Sequence, residues 1–183
     1  TDNNLIKFIE NQSFIELKKL KKLHLSHNQI ENFDSDVFYG LFDLEELEIN
    51  SNQIESLAPE SFKHLSNLKI LSLNHNLIRL ISCGSFNGLN KLENLFLESN
   101  ELSDIANYTF QDSNDTIPTS SLQNLKILNL SKNRIESIDS NSFCNLKSLR
   151  KIDLSWNLLK KIDNFWFQTL ENLNEFCLNQ NTI

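Results

Sequence analysis

Residues 44–54 read Leu-Glu-Glu-Leu-Glu-Ile-Asn-Ser-Asn-Gln-Ile, and the same LxxLxLxxNxI pattern occurs seven times in the 183-residue chain. The Asn near the end of each copy falls at Asn28, Asn52, Asn76, Asn100, Asn133, Asn157 and Asn181, after a truncated copy that ends at Asn4. Successive steps are 24, 24, 24, 24, 33, 24 and 24 residues. A fixed period of this size marks a solenoid whose turns are built alike.

One turn, Leu44 to Leu65, shows what each position is for. Leu47 and Ile49 alternate with Glu46, Glu48 and Asn50, the period of a strand with one buried face. Asn52 stands where the chain leaves that strand. Its amide is able to bond the backbone of its own turn and of a neighbour, satisfying polar groups that one strand per turn would orphan. The return path carries Leu57 and Phe62, and the Phe ring is expected to fill the wider, convex side. Parallel strands on one side and bulkier return segments on the other force curvature. The expected fold is an α/β-type repeat solenoid: a right-handed horseshoe with a concave parallel β-sheet and an irregular or short-helical convex side. The chain opens and closes inside repeats, so it is read as a single domain over 1–183, about eight turns long and truncated at both ends.

The repeat resembles the leucine-rich repeat family. Its 24-residue length with Phe in the return segment resembles the typical animal extracellular subclass, which includes Toll and Toll-like receptor ectodomains. The resemblance implies an extracellular recognition module, part of a Toll-like innate immune receptor ectodomain. The alternatives are an adhesion or axon-guidance protein and an intracellular structural scaffold. The implied location is extracellular, in a secreted protein or the ectodomain of a single-pass membrane protein.

Composition narrows the partners. Seventeen basic against 24 acidic residues give a net charge of −7, so no nucleic acid is favoured electrostatically. An anionic membrane surface is disfavoured on the same ground. No apolar run approaches the roughly 18 residues of a spanning helix, and no membrane contact is expected within this segment. Cys83 and Cys144 lie about two turns apart, roughly 10 Å by the strand spacing, beyond the ~7 Å reach of a disulfide. The three cysteines are expected to be unpaired.

The 33-residue step is a normal turn carrying nine extra residues. Segment 111–121, rich in Ser, Thr, Asp and Asn and containing Pro118, is expected to be a surface loop that either carries function or is simply tolerated. The resemblance implies ligand contact or receptor dimerisation for such an insertion. Four sequons mark Asn11, Asn107, Asn114 and Asn129. Asn11 and Asn107 share a column three residues before the convex Phe, and Asn114 falls in the inserted loop. These three are expected to be exposed and able to carry glycan in a secreted protein. A glycan on Asn129 would instead cover the sheet.

No catalytic constellation emerges, and neither an enzyme activity nor a cofactor is expected. His24, His27 and His75 lie on or beside the sheet, but no third ligand stands out at tetrahedral range, so no metal is expected. Cys177 faces Asp153 and Glu175, which oppose the lowered pKa of a reactive thiol. The concave positions x3, x5 and x7 of LxxLxLxxN are mostly polar. Ile70, Phe96 and Ile127 are exceptions in consecutive turns, and Trp156 flanks the next strand. With Glu48, Glu98 and Asp153 beside them, these residues are the candidate docking site for a protein or peptide ligand. The 111–121 loop is the alternative site.

Overall fold

The computed structural model describes residues 4–107, 109–112 and 122–183. Eleven short strands follow one another: β1 (Lys22–His24), β2 (Glu46–Glu48), β3 (Ser56–Leu57), β4 (Ile70–Ser72), β5 (Leu80–Ile81), β6 (Asn94–Phe96), β7 (Asp104–Ile105), β8 (Ile127–Asn129), β9 (Ser137–Ile138), β10 (Lys151–Asp153) and β11 (Glu175–Cys177). Seven of them form one sheet in the order β1-β2-β4-β6-β8-β10-β11, every pair parallel. Each of these seven strands is three residues centred on the fourth position of LxxLxLxxN, and that middle residue turns into the core. The fold is the leucine-rich horseshoe that the period predicts. The return side carries two small sheets, β3–β5 and β7–β9. Among the described residues its one helix is a 3-10 turn, Asn164–Phe167.

Register is unaffected by the long repeat. Asn94, Leu95 and Phe96 on β6 pair with Ile127, Leu128 and Asn129 on β8, the same alignment that the 24-residue steps produce. The nine extra residues are therefore absorbed outside the sheet. Residues 113–121 lie outside the described residues. Gln111, assigned to the surface loop from sequence, is instead 5% exposed. Its carbonyl accepts the Gly84 N–H of the preceding turn, because the chain following the buried Phe110 is still in register with that turn.

What closes each turn is the Asn. Asn76 Oδ1 accepts the Ile54 N–H of the preceding turn at 3.2 Å, while Nδ2 donates to the Ile49 carbonyl of that turn (2.9 Å) and to the Leu73 carbonyl of its own (3.1 Å). Asn52, Asn100, Asn133, Asn157 and Asn181 repeat this set on the equivalent atoms. A three-residue strand cannot satisfy the backbone where it bends away, and the amide does so for two turns at once.

The convex side is held by a stack of rings. Phe38, Phe62, Phe86, Phe110 and Phe143 succeed one another with centroids 6.0, 6.3, 6.0 and 6.2 Å apart and planes within 18° of parallel. That spacing exceeds the ~4.8 Å between strands, so each turn is a wedge and the solenoid bends toward its sheet. In the next turn Phe167 holds the periodic ring position and lies edge-on to Phe176. Trp166 precedes it and meets its ring edge-on. It is buried, and its indole N–H donates to the Ile138 carbonyl at 3.1 Å, capping a strand edge that has no further partner in its small sheet. Tight turns behind the rings leave no room for a side chain at Gly40, where φ is +100° and a Cβ would lie 2.5 Å from the Ile15 Cα.

Outside the sheet, charges alternate down the neighbouring column. Glu45 lies between Lys21 (2.8 Å) and Lys69 (2.6 Å), and these ammonium groups hold its carboxyl at about 2. A depressed carboxyl pKa stabilises the fold above the unfolded value near 4.5 and loses that contribution as pH falls toward 2. Glu45→Gln should therefore flatten the dependence of the urea midpoint on pH across that window relative to the parent chain. The amide ladder has a larger signature. Asn100→Ala strands the Ile78 N–H and the Leu73 and Leu97 carbonyls in a buried position, and should cost about 3 kcal/mol in urea unfolding. Asn181→Ala, at a half-buried rung, should cost clearly less.

Candidate binding face

The concave sheet presents two rows of side chains, one residue per strand in each. The first row runs Lys22, Glu46, Ile70, Asn94, Ile127, Lys151, Glu175; the second runs His24, Glu48, Ser72, Phe96, Asn129, Asp153, Cys177. Ile70, Phe96 and Ile127 thus fall on three successive strands, β4, β6 and β8. All three are half-buried, each partly covered by its neighbours in the row.

Trp156 stands apart from the rows. It is 55% exposed and adopts φ 57°, in the left-handed region. The same position is left-handed in every turn: His27, Ser51, His75, Ser99, Lys132 and Gln180 have φ between 54° and 60°. The residue just before each ladder Asn must reverse the chain sharply, so the column is imposed by the fold and not by the residue type. Left-handed backbone costs a side-chain-bearing residue about 1–2 kcal/mol, least for Asn. Trp156 takes this conformation with more than half of its surface in solvent.

The acidic residues assigned to the face are largely engaged. Glu98 accepts from Lys132 Nζ at 2.8 Å and from Asn129 Nδ2 at 3.4 Å. Asp153 Oδ1 accepts both the N–H and the hydroxyl of Ser155. Glu46 is bonded to Lys22, which lowers its pKa against the opposing effect of burial. Glu48 is more open than Glu46 or Glu98, with His24 Nδ1 3.9 Å away. Cys177 behaves as its neighbours dictate: burial raises its thiol pKa, and Asp153 and Glu175 raise it further.

Sequence reasoning missed a second polar ladder. Position x7 is expected to face solvent, yet Ser26, Ser131 and Ser155 are buried, as is Ser72 in the adjoining row. Asn50 Oδ1 accepts the Ser72 hydroxyl at 2.6 Å and the Asn74 N–H at 2.9 Å, and Asn74 Oδ1 accepts the Glu98 N–H. Ser or Asn at x7 in six of the seven motifs was the available signal: short side chains that bond backbone locally.

Of the sequon residues, Asn11 and Asn107 are exposed on the lateral column. Asn11 Nδ2 donates to Asp34 at 3.2 Å, and Asn107 Oδ1 accepts the Asn141 N–H. Asn129 is half-buried in the sheet, with Oδ1 taken by the Ser131 N–H and hydroxyl. Asn114 lies outside the described residues. The three cysteines are free. No helix among the described residues is long and apolar enough to cross a membrane.

The leucine rich repeat profile matches residues 1–54, 42–102 and 102–159. The chain belongs to the leucine-rich-repeat family. Among solved structures, the TLR13–ssRNA13 complex matches with 33% identity and a TM-score of 0.89, over 98% of this chain and 24% of that one. A leucine-rich-repeat protein of Leptospira interrogans matches with 24% identity and a TM-score of 0.78, over 98% of this chain and 42% of that one. This leucine-rich-repeat segment thus spans about a quarter of the first and less than half of the second, and its fold is like that of a Toll-like ectodomain. No curated protein matches the sequence significantly.

Replacing Trp156 separates its local cost from any use it has. Trp156→Asn should raise stability by about 1 kcal/mol, measured as an increase in the urea midpoint. A loss of stability would mean that the indole packs in the fold.

Proposed function

We propose that this chain is the ligand-recognising part of a Toll-like receptor ectodomain. It docks a protein or peptide partner on the concave sheet around Ile70, Phe96, Ile127 and Trp156, with Glu48, Glu98 and Asp153 on the margin. The observation that carries this reading is the exposed Trp156, held in a left-handed backbone in the turn that follows a half-buried apolar series on three successive strands. Exposed aromatic side chains on a rigid surface are the usual anchors of protein interfaces. The receptor setting is supported by the likeness to TLR13 along nearly the whole chain.

TLR13 was captured with a single-stranded RNA, which makes RNA the competing ligand class. The charges of this face favour a protein. Lys22 lies against Glu46 and Lys151 against Glu175, so phosphates would have to break existing ion pairs within a chain of net charge −7. The extracellular setting predicts glycan on Asn11, Asn107 and Asn114 ahead of Asn129. Adhesion and guidance proteins share the repeat; a spanning helix followed by an intracellular signalling domain in the flanking sequence distinguishes the receptor.

The test pairs Phe96→Ala with Trp156→Ala and reads both partner pull-down and thermal melting. Capture should fall at least tenfold, equivalent to about 1.4 kcal/mol, with the fold intact. Unchanged capture by a folded variant removes the face from consideration and moves attention to segment 111–121. Material from eukaryotic cells should also shed mass on glycosidase treatment; an unmodified protein from its native host supports an intracellular scaffold instead.

A further inference from the structure

The two strands that open the concave sheet place one imidazole between two carboxylates. His24 on β1 is in register with Glu48 on β2, and Glu46 lies two residues earlier on the same face. His24 Nε2 is 3.1 Å from Glu46 Oε1, and Nδ1 is 3.9 Å from Glu48 Oε2. One ligand atom from each of the three residues falls within 4.8 Å of the other two. Among the described residues no other group of His, Cys, Asp and Glu is gathered in this way.

An ion bonded tetrahedrally at about 2.1 Å holds its ligands roughly 3.4 Å apart. Closing the set around one therefore needs small side-chain rotations and no movement of the sheet. The strands fix the three Cα positions through the β1–β2 register, so the spacing is already imposed by the backbone. The side chains remain open to solvent on one side, leaving coordination positions for water. Glu46 already attracts a cation: the Lys22 ammonium is 2.7 Å from Oε2, on the oxygen turned away from His24. One nitrogen and two carboxylate oxygens suit borderline transition ions, whereas Ca²⁺ takes six or more oxygens.

We infer that His24, Glu46 and Glu48 form a binding site for a divalent transition cation of the zinc class on β1 and β2 of the concave face. A divalent ion balances the charge of Glu46 and Glu48, which otherwise make that part of the face acidic. The site lies on β1 and β2 and shares only Glu48 with the proposed docking face, so metal binding is read independently of the partner assigned to Phe96 and Trp156.

The experiment is calorimetric titration of Zn²⁺ into the whole chain carrying Cys83→Ser, Cys144→Ser and Cys177→Ser, since free thiols compete as zinc ligands. One site is expected. His24→Ala and Glu48→Gln should each weaken binding by about tenfold or more, with melting temperature unchanged, because both side chains are substantially exposed. His27→Ala and His75→Ala, outside the cluster, should bind as the parent does. Absence of binding, equal weakening in the His27 or His75 variants, or preference for Ca²⁺ over Zn²⁺ would each overturn the assignment.

Discussion

A backbone that makes one three-residue strand per turn has too few partners for its own peptide groups, and the buried amide column resolves that shortage. Each Asn ties its own turn to the one before through groups that no strand can reach. Because every rung uses the same atoms, the structure requires the residue at one position per turn and is permissive about the chain length between rungs. That permissiveness explains why β6 and β8 pair in normal register across a 33-residue step. The insertion leaves the return path, where bonds to neighbouring turns are few, and not the sheet edge, where they are dense.

Curvature follows from the mismatch between two stacking distances. Phe rings repeat at about 6 Å and strands at roughly 4.8 Å, and both stacks belong to the same turns. The difference is accommodated by rotation of each turn relative to the last. Beside Phe167, which holds the ring position in the turn after Phe143, Trp166 is buried and satisfies the Ile138 carbonyl, so it both fills space and closes a strand edge. The left-handed column beside the Asn ladder is the other consequence of the sharp reversal. It projects one side chain per turn beyond the sheet regardless of its identity, and the sequence has placed His, Ser, Lys, Gln and Trp there.

Nearly all of the architecture was legible in the sequence because the period states it seven times over. Seven coincident Asn, Leu and Phe columns leave little room for another fold, and the strand centres fell where alternation put them. The face was less legible, for reasons that are local. Alternation assigns a direction to each side chain but not a depth, so Ser26, Ser72, Ser131 and Ser155 were expected in solvent and are sunk in a polar seam. Composition suggested a loop beginning at Gln111, while the bond from Gly84 keeps that residue in the wall. The joining of His24 to Glu46 and Glu48 depends on neighbours 22 and 24 residues away, which become visible only once the strands are laid side by side in register. The left-handed column has no signature in residue type at all, since few of its members are residues that favour it.

The rows of the concave sheet also act as a ruler with a pitch of its own. Successive side chains in a row are one strand apart, about 4.8 Å, whereas alternate residues of an extended peptide recur every 6.6–6.8 Å. A strand laid along a row therefore drifts out of phase within two or three turns, and it cannot repeat the same contact from one turn to the next. Periodic ligands gain nothing from the periodicity of this surface. A convex, folded partner whose contacts are irregular suffers no such mismatch, and the regular scaffold suits a partner that is not itself regular.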